Sequence, residues 1–256
     1  MGKEHRLTAR RQAILAALEQ AGQLSVSELS ARFDVSEVTI RSDLQALSEQ
    51  GFLLRTRGGA MATQVMPEMS FDIRQLQRAE QKSRIGKAAA ALVNPGDTIV
   101  IDASTTAQAI IPHIRRLPEL TVVTNSLKAA LGFLGYPHVH VILPGGDLRR
   151  ESISLVGRAG CDLLQGIHIR SGFFGARGFT LAEGLTDVNI EEVKTKQALA
   201  RSCHRVVAMF DARKWGQVAT ATFATLDEID VIISDVDAPE ALVAAVRARG
   251  VEVILV

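Results

Sequence analysis

The chain has 256 residues, 47% of them hydrophobic and 22% charged, with a formal net charge of +1. This length suits one or two domains, and this composition is typical of a folded protein rather than a disordered one. No apolar run approaches the roughly 20 residues of a membrane span, the polar start lacks a signal peptide's apolar core, and the two cysteines exclude a disulfide scaffold and fit a reducing cytoplasm.

The first 60 residues predict three short helices followed by a hairpin. Hydroxyl residues that can cap a helix N-terminus precede each predicted helix, at Thr8, Ser27 and Ser36. The third helix repeats apolar residues at i, i+4 and i+7, namely Ile40, Leu44 and Leu47. A short strand at 52–57 and the pair Gly58-Gly59 indicate a hairpin. Residues 1–62 are therefore predicted to form a winged helix-turn-helix domain.

The rest of the chain predicts a linker over residues 63–79 and an α/β domain over residues 80–256. Strands are predicted at Thr98–Asp102, Leu120–Thr124, Val139–Leu143, Ser171–Phe174, Arg205–Phe210, Asp230–Ser234 and Val251–Val256. Helices are predicted near 80–93, 105–116, 126–134, 155–165, 189–203 and 238–249. Apolar strands that alternate with helices indicate a buried, mostly parallel sheet covered on both faces.

The outward face of the third helix is a candidate DNA-reading surface, because the N-terminal residues of such a helix meet base edges in a major groove. Arg41 suits a guanine edge or a phosphate, and Gln45 suits an adenine edge. On the predicted wing, Arg55 and Arg57 share one strand face and suit the DNA backbone or a minor groove. The full candidate set is Ser36, Glu37, Val38, Thr39, Arg41, Ser42, Gln45, Arg55 and Arg57. A three-helix module that binds protein stays an alternative, since acidic and basic residues nearly balance in this region.

Polar loops that follow the predicted strands are candidates for binding a small anionic ligand. Hydroxyl and glycine residues at helix starts suit phosphate, and the carboxyl ends of parallel strands meet at one edge of a sheet. The candidate effector-binding residues are Asp102, Ser104, Thr105, Thr106, Thr124, Asn125, Gly145, Gly146, Gly175, Arg177, Lys194, Asp211 and Lys214. Ordinary turn chemistry explains any one of these loops alone, and Lys194 equally suits a surface charge run with Glu191 and Glu192.

The histidines give little support for a metal site. His138 and His140 alternate on a predicted strand, but no third ligand accompanies them. We therefore predict neither a metal nor a cofactor.

Both halves of the chain resemble the DeoR family of bacterial transcriptional regulators. The N-terminal resemblance lies in Val35-Ser36-Glu37-Val38-Thr39-Ile40-Arg41-Ser42-Asp43-Leu44, Leu47, Gly51, Arg55 and Gly58-Gly59-Ala60. The C-terminal resemblance lies in Asp102-x-x-Thr105-Thr106, Thr121 to Ser126, Gly145-Gly146, Gly157, Phe174-x-x-x-Gly178, Lys194, Asp211-x-x-Lys214 and Ile229-Asp230. The sequence departs from the family pattern at Ser42, where arginine is usual, at Ser104, where glycine is usual, and at Ala212-Arg213, where hydroxyl residues are usual.

The resemblance implies a C-terminal fold similar to ribose-5-phosphate isomerase and the CoA transferases, and a sensor of a phosphorylated sugar or sugar derivative. It identifies the chain as a cytoplasmic repressor of a sugar-catabolism operon. Since one winged helix has limited reach, operator binding calls for a dimer or tetramer. The alternative is a sugar-phosphate isomerase with a DNA-binding appendage, with Asp102, Glu183 or Asp187 as base. A CoA transferase is disfavoured, because no nucleophilic glutamate stands out.

Overall fold

The computed structural model describes residues 10–11, 13–18, 21–49, 52–62, 71–157, 164 and 166–256, so the predicted cap Thr8 lies outside the described residues. The chain divides into two compact units, Met1–Gln77 and Arg78–Val256, with a boundary inside the segment predicted as a linker. In the described part of that segment, the chain is helical rather than irregular over Phe71–Leu76. No helix among the described residues is long and apolar enough to cross a membrane.

The N-terminal unit is a winged helix-turn-helix, as predicted. Its elements are α1 (helical at 10–11, 13–18 and 21), β1 (Gln23–Ser25), α2 (Val26–Phe33), α3 (Glu37–Glu49), β2 (Leu53–Thr56), β3 (Gly59–Ala62) and α4 (Phe71–Leu76). The strands form an antiparallel sheet in the order β1-β3-β2. One apolar core joins the helices to the sheet through residues that include Ile14, Leu29, Ile40, Leu44 and Phe52.

The predicted cap of the second helix is wrong by two residues. Ser25 caps α2: its Oγ accepts from the backbone N–H of Glu28 at 3.2 Å, and the Glu28 carboxylate accepts from the backbone N–H of Ser25 at 2.7 Å. This reciprocal pair is a capping box, and Ser27 lies inside the helix as its second residue. Ser36 does cap α3, since its Oγ accepts from the N–H of Thr39 at 3.2 Å.

A buried carboxylate ties the first helix to the third. Asp43 on α3 is 1% exposed, and its two oxygens accept from Nε of Arg10 at 2.6 Å and from Nε of Arg11 at 2.9 Å. A carboxylate this deeply buried needs such partners, because its charge is otherwise costly to desolvate. These two arginines therefore hold the helices together.

The C-terminal unit is an α/β domain, as predicted. Its strands are β4 (Thr98–Ile101), β5 (Thr121–Val123), β6 (His140–Ile142), β7 (Asp147–Arg149), β8 (Ser154–Val156), β9 (Ile169–Phe174), β10 (Gly178–Thr180), β11 (Gly184–Asp187), β12 (Cys203–Met209), β13 (Ala221–Ala224), β14 (Val231–Ser234) and β15 (Glu252–Leu255). Its helices are α5 (Ala79–Ala90), α6 (Ile111–Ile114), α7 (Leu127–Phe133), α8 (Ile190–Arg201) and α9 (Glu240–Ala248), with 3₁₀ turns at Ala107–Ile110, Ala212–Lys214 and Leu226–Glu228.

The predicted strands build one parallel sheet of seven strands in the order β15-β14-β12-β9-β4-β5-β6. The chain starts at β4, moves outward to β6, and then crosses to the other side of β4 to add β9 and the remaining strands. The order therefore reverses between β4 and β9. In open α/β sheets, a crevice opens beyond the carboxyl ends of the strands at this point. Separate apolar cores cover the two faces of the sheet.

The helix predicted at 155–165 is wrong in its described part, and several short strands were not predicted. Residues Ser154–Val156 form β8, which pairs with β7 in a hairpin; residues 158–163 and 165 lie outside the described residues. Strands β10, β11 and β13 form a second small antiparallel sheet. Each of these strands mixes apolar residues with polar residues or glycine, so it lacks the continuous apolar run that predicts a strand of the parallel sheet.

Candidate functional site

The outer face of α3 presents most of the predicted DNA-reading residues to solvent. The exposed members of the set on this helix and its cap are Ser36, Glu37, Val38, Arg41, Ser42 and Gln45. Thr39 is partly buried, and its hydroxyl lies 2.9 Å from Oγ of Ser36. The opposite face of α3 fills the core with Ile40, Leu44 and Leu47. The helix therefore displays one continuous polar surface with a single large apolar side chain.

Ion pairs and hydrogen bonds order the side chains on this face. Nη2 of Arg41 donates to the carboxylate of Glu37 at 2.6 Å, and Nε2 of Gln45 donates to Glu49 at 2.9 Å. Nη1 of Arg55, on β2, donates to the carbonyl oxygen of Arg41 at 3.2 Å. The wing thus brings a second guanidinium beside α3. Arg57 is exposed, but it lies in the turn after β2, so the prediction that it shares a strand with Arg55 is wrong.

In the C-terminal unit, a buried charged cluster lies where the strand order reverses. Asp102 directly follows β4 and is fully buried. One of its oxygens accepts from the N–H of Ser104 at 2.9 Å, and the other accepts from the N–H of Gly175, after β9, at 3.1 Å. Asp102 therefore joins the loops on either side of the crevice.

Lys196 on α8 completes this cluster, although the sequence did not predict it. Its Nζ lies 3.0 Å from Asp102 and 2.6 Å from Asp187, and donates to the carbonyl oxygen of Gly175 at 2.9 Å. Burial raises the pKa of Asp102 despite the charge of Lys196. Burial also acts to lower the pKa of Lys196, but Asp102 and Asp187 outweigh it and raise that pKa above its usual value. The ammonium therefore stays charged inside the protein.

The loops of the cluster approach each other so closely that Gly175 has no room for a side chain. A Cβ atom at this position would lie 2.2 Å from Oγ of Ser104. Oγ of Ser104 accepts from the N–H of Ala107 at 3.1 Å and thereby starts the 3₁₀ turn. Thr105 and Thr106 precede this turn and are buried. The predicted loop after β4 thus lies against the predicted loop after β9.

A second buried carboxylate organises the loop after β5. Nδ2 of Asn125 donates to Glu192 at 3.3 Å and to the carbonyl oxygen of Leu155 at 3.2 Å. The other Glu192 oxygen accepts from Arg149 and from the hydroxyls of two serines, Ser152 and Ser154. Oδ1 of Asn125 is one of the few buried polar atoms of the described residues without a hydrogen-bond partner. Thr124 is also buried and donates to the carbonyl oxygen of Ile101 at 2.6 Å.

Two further predicted cations, Arg177 and Lys214, lie in the loops after β9 and after β12. Nε of Arg177 lies 3.8 Å from Asp187, which connects this arginine to the cluster. Lys214 ends the 3₁₀ turn that Asp211 caps. Burial lowers the pKa of Lys214, and the charges of Arg177 and Arg213 lower it further, against the opposing effect of Asp211. Arg213 itself pairs with Asp211 at 2.9 Å. Arg177, Arg213 and Lys214 therefore lie near one another, with Asp187 and Asp211 as their acidic neighbours.

The structure does not bring two predicted features into this cluster. The side chain of Lys194 is 53% exposed and pairs with Glu191 at 2.7 Å, so it belongs to the surface charge run. Gly145 and Gly146 have positive φ angles, and a Cβ on Gly146 would lie 2.3 Å from the carbonyl oxygen of Val156. The glycine at 146 is therefore needed for the approach to β8.

The residues that the prediction missed, Glu192 and Lys196, leave only an indirect signal in the sequence. Asn189 caps α8 by accepting from the N–H of Glu192 at 3.0 Å. Glu192 and Lys196 then lie four residues apart on the face that also buries Val193 and Leu199. Charged residues on an apolar helix face are the signal for a buried charged network. Among the described residues, no group of three or more histidine, cysteine, aspartate or glutamate side chains could hold a metal ion.

Two family models match the chain. Residues 10–64 match the DeoR-like helix-turn-helix domain, and residues 77–236 match the DeoR C terminal sensor domain. At the level of structure, a ribose-5-phosphate isomerase in complex with phospho-erythronic acid matches with a TM-score of 0.41 and 14% identity, covering 54% of each chain. That likeness is too low to carry a functional inference.

Curated relatives match over nearly the full length of the chain. The HTH-type transcriptional regulator GolR of Listeria innocua is 38% identical, covering 95% of this chain and 96% of that protein. The glycerol-3-phosphate regulon repressor of Escherichia coli is 30% identical, covering 91% of this chain and 92% of that protein. Both are named as regulators of transcription, so the enzyme alternative is not favoured. The chain belongs to the DeoR family of transcriptional regulators.

Proposed function

We propose that this protein represses a sugar-catabolism operon in the cytoplasm and that a phosphorylated sugar or sugar derivative modulates its binding to operator DNA. The exposed polar face of α3, with Arg55 of the wing held against it, is the observation that carries the proposal. The DNA-contacting residues would be the predicted set, namely the cap Ser36, the predicted residues of α3, and Arg55 and Arg57 of the wing. The name of the E. coli relative, a glycerol-3-phosphate regulon repressor, supports a role in the metabolism of a phosphorylated compound.

The crevice between β4 and β9 is the proposed effector site. Its walls would be the loops of Asp102, Ser104, Thr105 and Thr106, of Gly175 and Arg177, and of Asp211 and Lys214. Arg177 and Lys214 are cations that would attract a phosphate group. Thr124 and Asn125 follow the next strand, and the unpartnered Oδ1 of Asn125 is an acceptor suited to a sugar hydroxyl. Three predicted residues are weaker candidates for effector binding, namely Gly145, Gly146 and Lys194. The glycine pair belongs to the β7–β8 hairpin, and Lys194 forms a surface ion pair with Glu191.

Repression would require a homo-oligomer, as a dimer or a tetramer. A single winged helix covers one half-site, and two units related by symmetry cover a palindromic operator. The effector must then bind more tightly to one arrangement of the DNA-reading units than to another, since a ligand with equal affinity for both shifts nothing. Sedimentation of the protein with operator DNA measures the stoichiometry directly.

Fluorescence anisotropy tests the proposal. The full chain is titrated at fixed salt against the DNA upstream of its own operon and against an unrelated duplex, with and without a panel of sugar phosphates and their unphosphorylated parents. We expect preference for the upstream DNA and a change in affinity with one phosphosugar. No preference under any condition would contradict the proposal.

Two variants separate the halves of the function. Arg41→Ala should weaken specific DNA binding by about 1–3 kcal/mol and leave effector binding unchanged. Lys214→Ala should weaken the response to the effector and leave DNA affinity intact. Loss of both properties in Arg41→Ala would make Arg41 structural, and unchanged effector affinity in Lys214→Ala would remove Lys214 from the site.

A further inference from the structure

Val38 is an apolar side chain displayed at the start of α3. It is the second residue of the helix, and 73% of its surface is exposed. The core contains the buried large aliphatic side chains of α3, which are Ile40, Leu44 and Leu47. A β-branched residue also gains nothing as a helix former on an exposed face. Neither packing nor helix propensity therefore explains a valine here.

The immediate surroundings of Val38 are polar and partly charged. Glu37 and Arg41 form an ion pair at 2.6 Å on the same exposed face. Arg55 reaches the backbone of Arg41 from the wing, and Ser36 and Thr39 are hydrogen-bonded at the helix start. A partner protein that binds through apolar contact would need a contiguous apolar patch. Val38 is a single aliphatic side chain among guanidinium and hydroxyl groups. It therefore fits a partner surface that is polar and carries one apolar group.

The major groove of DNA has this character. Its base edges are hydrogen-bond donors and acceptors with one apolar feature, the C5-methyl group of thymine. Residues in the first turn of a recognition helix are those that come nearest to base edges. We propose that Val38 reads a thymine in each operator half-site by packing against its C5-methyl group. The inference rests on the proposed DNA-binding function and specifies part of the sequence that is bound.

Replacing thymine by uracil removes the methyl group and leaves the hydrogen-bonding edge unchanged. Burial of one such group corresponds to about a fourfold change in affinity. The test uses the full-length protein and the shortest upstream duplex that binds in preference to unrelated DNA. Each dT is replaced by dU in turn, and affinity is measured by fluorescence anisotropy at fixed salt. We expect about a fourfold loss at one position of each half-site for the natural protein, and no loss at that position for Val38→Ala.

Leu54→Ala is the matched control, because Leu54 is an exposed aliphatic residue of the same unit, 55% exposed on the wing. This variant should keep the full discrimination between dT and dU. Specific binding with no sensitive dU position would overturn the inference and leave the proposed function standing. An equal loss in Val38→Ala would assign the methyl contact to another residue and also overturn it. Absence of any specific binding would instead reject the proposed function, and the inference with it.

Discussion

Lys196 is a cationic side chain held entirely inside the protein. An ammonium group in such a place is costly unless charged and polar partners replace its water. Asp102, Asp187 and the carbonyl oxygen of Gly175 are those partners, at 2.6–3.0 Å. Because the partners come from three separate segments of the chain, this one nitrogen links the loops after β4 and β9 to the end of β11. The neighbouring Lys194 has the same chemistry and an exposed position.

Replacing Lys196 by methionine should destabilise the C-terminal unit by about 3–5 kcal/mol, because two buried carboxylates lose their counter-charge. Lys194→Met is the matched control and should change stability by less than about 0.5 kcal/mol. Trp215, the single tryptophan of the chain, is buried and donates from Nε1 to Ser234 at 3.0 Å. Urea unfolding followed by its fluorescence measures both variants. Equal effects would show that the buried ion pairs add no stability.

Cys203 gives the protein a dependence of stability on alkaline pH. Burial raises the pKa of its thiol from 9.0 to about 12. Above pH 9, the unfolded chain loses this proton while the folded protein keeps it, so the free energy of unfolding should fall as pH rises, by up to about 1.4 kcal/mol per pH unit. Cys203→Ala should show a shallower fall between pH 9 and 10.5 in urea titrations. Parallel pH profiles for the two proteins would contradict the expectation.

The sequence made Asp102 predictable and left Lys196 hidden, for a physical reason. Asp102 ends an apolar strand, and the end of a parallel strand has a known place in the fold. Lys196 lies on a helix, where the inward direction depends on which face packs against the sheet. Two lysines two residues apart, Lys194 and Lys196, point to opposite sides of α8. The sequence pattern predicted Lys194 as a residue of the site, whereas the packing of α8 places Lys196 in the buried cluster.

At the scale of the elements, prediction succeeded for the apolar strands of the parallel sheet and failed for the strands of the small antiparallel sheets of the C-terminal unit. The seven strands of the parallel sheet carry near-continuous apolar runs, which indicate burial on both faces. Strands β7 and β8 contain polar residues and no continuous apolar run. Their surroundings include the close approach of Gly146 to Val156 and the contacts of Ser152 and Ser154 with Glu192. Such contacts join residues distant in sequence, so no local pattern reveals them.

The cap of α2 offers a test at this scale. Ser25→Ala should destabilise the N-terminal unit by about 1 kcal/mol, because the N–H of Glu28 loses its acceptor. Ser27→Ala, two residues later, removes a hydroxyl that lies 3.1 Å from Oγ of Ser25 and should have a smaller effect. Thermal unfolding followed by circular dichroism at 222 nm measures both. A larger loss for Ser27→Ala would restore the cap that the sequence predicted.

At the scale of the whole molecule, the chain contains separate apolar cores. The core of the N-terminal unit draws on residues between Ile14 and Ala60, and the cores of the C-terminal unit draw on residues between Ile85 and Val253. No residue is shared between them among the described positions. Each unit therefore has what an independently folding domain requires.

A fragment spanning residues 78–256 should fold alone. Its urea midpoint, followed by Trp215 fluorescence, should match that of the full chain, because the tryptophan and its packing partners all lie within this unit. The fragment should also bind the effector and should not bind operator DNA. A midpoint far below that of the full chain would show that the N-terminal unit contributes to the stability of this domain.

Arg10 and Arg11 share the single carboxylate of Asp43 within the N-terminal unit, so this cluster carries one net positive charge instead of two. A positive charge that a carboxylate already cancels releases no condensed counterions when a duplex docks, whereas each arginine that neutralises a phosphate steepens the fall of affinity with ionic strength. Affinity of this protein for DNA should therefore depend on salt less steeply than the number of arginines near its N-terminus suggests. The duplex would be held more by the fit of one helix face than by a broad cationic surface.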